Sequence, residues 1–259
     1  MRAKALNRGI TTVAAVLLFA ACSSNICGPA DDGYCGHVTI SGSVKSDIKG
    51  SAAGSTSTLE GVQIPSAEDF ALDISGSDDY QMHWESVALF NRYEPYLAEG
   101  EYTLTISYGD KTVEDFDNPC FEGSATAVVK ARKTSEATIT ARIVNSLIVI
   151  ECTDNFSSYF PSSEFVVTTS AGGTFSIEPP MQGSLFVAPE SKVQVVCTAR
   201  KQTGETVTFP AQEIEMTAPQ TRYTLRYDVE QAGGSKLQIT LNDETTEEID
   251  IDAELNEFI

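Results

Sequence analysis

The sequence predicts an all-β protein, with two tandem antiparallel, immunoglobulin-like β-sandwich domains behind a lipoprotein signal peptide. Apolar residues recur with a period of two in short runs, which is typical of strands covered on one face. Gly, Pro and Asp break these runs at near-regular spacing, as in β-sandwiches. The N-terminus has the composition of an export signal. No segment carries an amphipathic helical stripe of three turns.

Residues 1–21 are predicted to be the signal peptide. Three basic residues precede an apolar run at residues 10–21, which is too short to span a bilayer as a mature helix. Two alanines then precede Cys22, an arrangement similar to a bacterial lipobox. We therefore expect cleavage before Cys22, a diacylglycerol on its thiol, and a lipid-tethered linker over residues 22–36. The alternative is an ordinary secretory signal cleaved near Ala21.

The charge balance excludes one large class of function. The chain has 37 acidic and 17 basic residues, a formal net charge of −20. Removing residues 1–21 takes away three bases and no acids, so the charge falls to −23. Sequence-independent binding of nucleic acid needs a basic face, and we expect no nucleic-acid partner.

The cysteines predict one local disulfide. Cys27 and Cys35 flank a turn-rich segment, and a bridge between them would close a small loop in an exported protein. Cys152 and Cys197 lie in apolar strand-like runs, where they would form a second bridge or pack as free thiols. No paired C-x-x-C motif occurs, so no zinc site is expected. Four acids between Asp110 and Asp117 lack the spacing of a calcium loop, and no metal or cofactor is predicted.

A weak internal repeat of roughly ninety residues divides the body into two. Residues 125–144 and 211–229 each read as a strand, a polar turn and a second strand. The boundary falls near Asn145, which predicts one domain over 37–145 and another over 146–259. Residues 41–61 are rich in Ser, Gly, Thr and Ala, and their composition predicts a flexible insertion in the first domain. The alternating runs that mark individual strands are residues 102–108, 137–143, 222–229, 237–241 and 247–252.

The order of short motifs resembles a lipoprotein family of Bacteroidota known only as a domain of unknown function. These motifs are the lipobox, the segments 100–103 and 119–123, the Asn145-Ser146 junction and the segment 154–160. Cys120 departs from the pattern, since an aromatic residue usually stands there. The resemblance implies fimbrillin-like proteins that are exported, lipidated and built of transthyretin-like sandwiches. It implies a cell-envelope location and a non-catalytic role, and it supplies no catalytic or ligand residues.

Aromatic residues between positions 80 and 96 are the best candidates for recognition. Trp84, Tyr93 and Tyr96 would contact a sugar face or a protein partner if they are exposed. The alternative is that the aromatic residues of this segment, which also include Tyr80 and Phe90, fill the core. Catalysis has little support, because no G-x-S-x-G motif occurs and the only histidines are His37 and His83.

The expected function is therefore that of an outer-membrane lipoprotein that binds or assembles at the cell surface without catalysis. Its partners would be membrane lipid through acylated Cys22, together with a protein or a glycan. A fimbrillin-like subunit would either keep its last strand, residues 247–252, in its own sheet or donate that strand. The alternatives are a glycan-binding lipoprotein and a glycosidase that uses two carboxylates. Whether the body faces the surface or the periplasm is left open.

Overall fold

The structure is a computed structural model that describes residues 33–49, 56–59, 63–215, 219–231, 234–241 and 245–250. The prediction of an all-β fold is confirmed, because strands dominate and the helices described are short. The predicted signal peptide, Cys22 and Cys27 lie outside the described residues. Among the described residues, no helix combines the length and the apolar character that crossing a membrane would require.

The first half of the chain forms a seven-stranded sheet and a small hairpin. The sheet has the strand order β5-β4-β7-β8-β9-β1-β6, and the hairpin pairs β2 with β3. A 3₁₀ helix (Ala67–Asp69) precedes β4, and helix α1 (Val87–Tyr93) follows β5. The strands are β1 (Cys35–Lys45), β2 (Asp47–Lys49), β3 (Thr56–Thr58), β4 (Ala71–Gly76), β5 (Gln81–Trp84), β6 (Leu97–Ala98), β7 (Gly100–Tyr108), β8 (Phe121–Val129) and β9 (Thr134–Ile143).

Strands β8 and β9 of the seven-stranded sheet are paired at one end only. They pair at Phe121 with Ile143 and at Glu122 with Arg142, whereas β8 pairs with β7 along its whole length. The other edge of β9 pairs with β1 from Thr134 to Arg142. The alternating apolar residues of these strands belong to one buried cluster, since each strand turns every second side chain inward.

The second half consists of two five-stranded sheets around a second buried cluster. One sheet has the order β13-β10-β17-β18-β19; in the other, β12-β11-β14-β15 run in order and β16 also pairs with β14. Helix α2 (Asp154–Tyr159) connects β10 to β11. The strands are β10 (Ser146–Cys152), β11 (Ser162–Thr169), β12 (Thr174–Ile177), β13 (Leu185–Val187), β14 (Lys192–Arg200), β15 (Thr206–Thr208), β16 (Gln212–Glu215), β17 (Arg222–Gln231), β18 (Gly234–Leu241) and β19 (Thr245–Asp250).

The two halves repeat one pattern of strand pairing. The neighbours β5-β4-β7-β8 of the first half correspond to β12-β11-β14-β16 of the second. Likewise, β6-β1-β9 corresponds to β13-β10-β17. The hairpin β18–β19 extends the sheet beyond β17, and it has no counterpart among the described residues of the first half. A separate buried apolar cluster lies in each half.

Two expectations from the sequence are wrong. The sheets are not wholly antiparallel, because β1 pairs with β9 and β10 with β17 in parallel. A strand covered on one face alternates in the same way whichever direction its neighbour runs, so the sequence pattern could not reveal this.

The expected flexible insertion at 41–61 begins too early. Residues 41–45 continue β1, where the Ser41 and Ser43 hydroxyls hydrogen-bond to Thr138 and Thr140 at 3.1 Å.

The two halves share a polar and apolar interface. Phe186 of β13 and Leu147 of β10 are fully buried in the apolar cluster of the first half. The loop before β8 contacts the second half, where Asp115 exchanges two backbone hydrogen bonds with Phe186, at 2.9 and 3.2 Å. The Glu114 carboxylate accepts hydrogen bonds from the Thr169 hydroxyl and, at 3.1 Å, from the Ala188 N–H.

Candidate functional site

The structure brings Trp84 and Tyr93 together at the surface beside helix α1. Their ring centroids are 5.7 Å apart, and Trp84 also packs edge-on against the buried Phe90 at 5.6 Å. Tyr93 is 69% exposed at the end of the helix. The indole N–H of Trp84 is buried and has no hydrogen-bond partner among the described residues. This pair therefore offers an exposed tyrosine ring that packs against the Trp84 indole.

Tyr96 lies apart from this pair and stacks on His37, with ring centroids 4.0 Å apart. It is 43% exposed. Tyr80 and Phe90 are buried in the core, so packing accounts for these two members of the predicted aromatic group. The predicted recognition residues thus fall into two separate places.

Helix α1 also protects the outer edge of β1. Strand β6 covers only Cys35 and Gly36 of that edge. Further along, the side-chain amide of Asn91 accepts a hydrogen bond from the Ile40 N–H at 3.0 Å and donates one to the Ile40 carbonyl at 2.7 Å. The amide thereby satisfies both backbone groups that a neighbouring strand would otherwise use.

The equivalent edge in the second half lacks such protection. Ile150 corresponds to Ile40, because each pairs with the fourth residue of its parallel neighbour, β17 or β9. Strand β13 covers only Ser146 to Ile148 of β10. The Ile150 N–H donates to the thioether sulfur of Met181 at 3.3 Å, which is a weak acceptor. Within the part of the chain that the structure describes, no strand pairs with the outer edge of β10 beyond Ile148.

A groove of about 770 Å³ opens along this unprotected edge. An extended segment containing the cis peptide bond Pro179–Pro180 forms one wall, where the first half has helix α1. The lining mixes apolar side chains with hydroxyls and three exposed carboxylates. Its residues are Val149, Ile150, Glu151, Cys152, Asp154, Ser157, Phe160, Pro161, Ser162, Ser163, Glu178, Pro179, Pro180 and Met181.

The thiol that lines the groove is not activated for nucleophilic chemistry. Burial raises the pKa of the Cys152 thiol to about 12, against a smaller lowering by its hydrogen bond with Ser163. The thiol is therefore protonated and unreactive at neutral pH. Glu151, Asp154 and Glu178 make the rim negative, which favours a ligand with positive charge.

The two histidines, which are the other residues considered for catalysis, lie outside the groove. His83 forms an exposed pair with Asp73, with Nδ1 and Oδ1 2.7 Å apart. Nδ1 of His37 is buried and has no hydrogen-bond partner among the described residues. Of the residues that the structure describes, no three acidic, histidine or cysteine side chains are grouped so that they could hold a metal ion.

The cysteines partly follow the sequence predictions. Cys35 is disulfide-bonded, while Cys27, its predicted partner, lies outside the described residues. Cys152 and Cys197 are free thiols, as is Cys120, so the alternative of a Cys152–Cys197 bridge is wrong. Burial raises the pKa of Cys197 well above its ordinary value, because Cys197 lies within the second core.

Sequence reasoning missed the groove entirely. Its only sequence signal is Pro179-Pro180 at the position where the first half places a helix, and that equivalence depends on aligning strands that share little sequence. The open edge depends on which strand neighbours β10, and a single sequence does not reveal that pairing.

Comparison with solved structures gives distant similarities. A fimbrial assembly protein from Parabacteroides distasonis is 6% identical, with a TM-score of 0.45 over 83% of this chain and 98% of that chain. Candidate polysaccharide binding proteins from Bacteroides thetaiotaomicron are 8% identical, with a TM-score of 0.42 over 82% and 98%. A candidate adhesin from Bacteroides ovatus is 8% identical, with a TM-score of 0.42 over 83% and 95%. No curated protein matches the sequence.

The family comparison covers most of the chain. Residues 39–257 match the model of a family described as a domain of unknown function, DUF4493. This confirms the expectation, drawn from the order of motifs, of a family without an assigned function. The protein therefore belongs to the DUF4493 family.

Proposed function

We propose that this protein is a lipid-anchored protein of the outer membrane that acts without catalysis, by accepting an extended strand from a partner protein. The open edge of β10 carries the proposal. Ile150 and Ile40 are equivalent, yet only Ile40 has both outward backbone groups satisfied by a side-chain amide. An open strand edge inside a groove is the geometry that strand addition uses.

The chemistry of the groove specifies the partner strand. An added strand would hydrogen-bond to the outer edge of β10 and turn alternate side chains toward Phe160 and Met181. Three carboxylates line the same groove, so the strand should carry Lys or Arg near its ends. The end of this chain, residues 247–259, is acidic and would be repelled. Strand β19 pairs with β18 in its own sheet, and the proposed donor is therefore a different protein.

Two synthetic peptides test this proposal against self-assembly. One copies residues 247–259, and the other replaces its acids with lysine. We expect the lysine peptide to bind the full chain at least tenfold more tightly at low salt. A Ser162→Trp variant, which fills the groove from an exposed position, should abolish binding, whereas Thr126→Trp on the exposed face of β8 should not. Equal binding of both peptides, or binding that Ser162→Trp leaves intact, would contradict the proposal.

Glycan binding at Trp84 and Tyr93 is the second candidate. The observation that favours it is the exposed Tyr93 ring, which is held against the Trp84 indole, because sugars stack on aromatic faces. A glycan array with the full chain tests it. Binding that is lost in Tyr93→Ala and kept in Tyr34→Ala, where the replaced ring is also exposed, would support the site. An array without binding by the wild type would remove this candidate.

The proposed anchor has its own test. Mass spectrometry of the mature protein should find an acylated Cys22 at the N-terminus, and unmodified Cys22 would contradict it. Protease digestion of intact cells then decides the side of the membrane. Digestion before lysis places the partner strand on another surface protein, and digestion only after lysis places it in the periplasm.

A further inference from the structure

We propose that the end of the first half at which β1 begins binds the anionic headgroups of the membrane that holds the lipidated N-terminus. This surface, the basic pole, consists of Tyr34, Tyr96, Lys130, Arg132 and Lys133. The inference rests on the proposed anchoring through Cys22. It adds that the folded body, and not only the acyl chains, contacts the bilayer, and that the contact fixes one orientation of the body.

The basic turn between β8 and β9 is held against the start of β1. The Arg132 N–H donates a hydrogen bond to the Cys35 carbonyl at 2.7 Å. A Cβ atom at Gly36 would lie 2.3 Å from the Lys130 carbonyl and 2.7 Å from that of Lys133, so the approach requires glycine. The turn is therefore fixed beside the point where the described chain continues toward its N-terminus.

The charge of this turn differs from that of the rest of the protein. Three of the fourteen bases that follow residue 21 lie within its four residues. Lys130, Arg132 and Lys133 are all exposed, and no ion pair involves them among the described residues. Acids also occur nearby: Glu99 and Glu101 on the adjoining strand end, and Asp31 and Asp32 just before Tyr34 in the sequence. The three exposed bases of the turn are the part of this surface whose charge anionic headgroups match, on a mature chain of net charge −23.

Two exposed aromatic rings lie at the same end. Tyr34 is 79% exposed, and its carbonyl accepts a hydrogen bond from the Glu99 N–H at 2.8 Å. Tyr96 is 43% exposed and is held by stacking on His37. Tyrosine is enriched where proteins meet the headgroup layer, because its ring is apolar and its hydroxyl is polar. Basic and aromatic residues together are the combination expected of a membrane-contacting surface.

The length of the tether brings this surface to the bilayer. With the predicted Cys27–Cys35 bridge, the free chain between the lipid and the body is Cys22 to Cys27, at most about 18 Å when fully extended. The basic pole is then confined near the headgroups at high effective concentration, and a weak contact is enough to orient the body.

Hydrogen exchange on the lipidated full-length protein tests the proposal. The protein is reconstituted in vesicles rich in phosphatidylglycerol and, separately, in vesicles of phosphatidylcholine alone. We expect amides of residues 34–36 and 130–135 to exchange at least fivefold more slowly in the anionic vesicles at low salt. The difference should disappear at high salt, because screening weakens the attraction. Amides of the turn at residues 171–173, in the second half, serve as the internal reference.

Charge variants separate the basic pole from the overall charge. Replacing Lys130, Arg132 and Lys133 with glutamine should remove the difference at residues 34–36. Replacing Lys45, Lys111 and Lys192 with glutamine removes the same charge elsewhere and should keep it. Equal exchange in both vesicles, or loss of the difference in both variants, would overturn the proposal. Failure of the protein to float with any vesicle would instead overturn the anchoring through Cys22, so the two failures are distinguishable.

Discussion

Phe186 lies in the second half of the sequence but packs in the core of the first half, so its removal should destabilise a region that it does not belong to in the chain. Its side chain is fully buried, and its backbone is paired with Asp115. Truncating a buried phenylalanine to alanine typically costs about 3–5 kcal/mol of unfolding free energy. We therefore expect Phe186→Ala to destabilise the first half by that amount.

The single tryptophan makes this measurable, because Trp84 packs against Phe90 in the first half. Its fluorescence in urea reports unfolding of that half alone. With a slope of about 2 kcal/mol per molar urea, the midpoint should fall by roughly 1.5–2.5 M in Phe186→Ala. The matched control is Phe165→Ala, which removes an equally buried ring from the second core.

One result would contradict the claim that Phe186 stabilises the core of the first half. If Phe186→Ala leaves the Trp84 transition in place while circular dichroism shows that the rest of the chain has lost stability, then Phe186 does not support the first core. If Phe165→Ala shifts the Trp84 transition as far as Phe186→Ala does, the two halves unfold as one cooperative unit.

Three further predictions concern buried polar groups. Asn145→Ala should lower the free energy of unfolding, measured in urea by circular dichroism, by about 1–3 kcal/mol, because the buried Cys120 N–H loses its acceptor at 2.6 Å. Burial and the nearby Tyr102 raise the pKa of Tyr80 to about 12. The contribution of the protonated Tyr80 to the free energy of unfolding is therefore complete below pH 10 and is lost as the pH rises toward 12. Tyr80→Phe should lessen this loss in alkaline unfolding followed by circular dichroism. Iodoacetamide at pH 8 should leave Cys152 unmodified in the folded protein and alkylate it in urea, because its raised pKa keeps the thiol protonated; rapid modification without urea would contradict the burial of this thiol.

The strands themselves could be predicted from the sequence because each follows a local rule. The alternating runs at residues 102–108, 137–143 and 222–229 fall within β7, β9 and β17. A period of two requires only that one face be buried, and the sequence records that pattern residue by residue. The two copies of the weak repeat, residues 125–144 and 211–229, fall on β8 with β9 and on β16 with β17, which hold corresponding positions in the two halves.

Parts of the candidate sites could not be predicted in this way. Tyr93 and Tyr96 are equally aromatic in the sequence, yet one lies beside Trp84 and the other stacks on His37. Whether an aromatic ring is exposed depends on the helix or strand that presents it, and on what packs against that element. The sequence therefore named the residues without separating their roles.

The all-β class and the family without an assigned function could both be inferred from the sequence, and the lipid anchor stays a prediction. These follow from composition, periodicity and short motifs, which are local properties of the chain. Only the tertiary structure decided that β10 has an open edge where β1 is closed by Asn91, and that a basic turn lies against the start of β1. Both features depend on contacts between residues far apart in sequence, and such contacts are fixed by packing and not by local pattern.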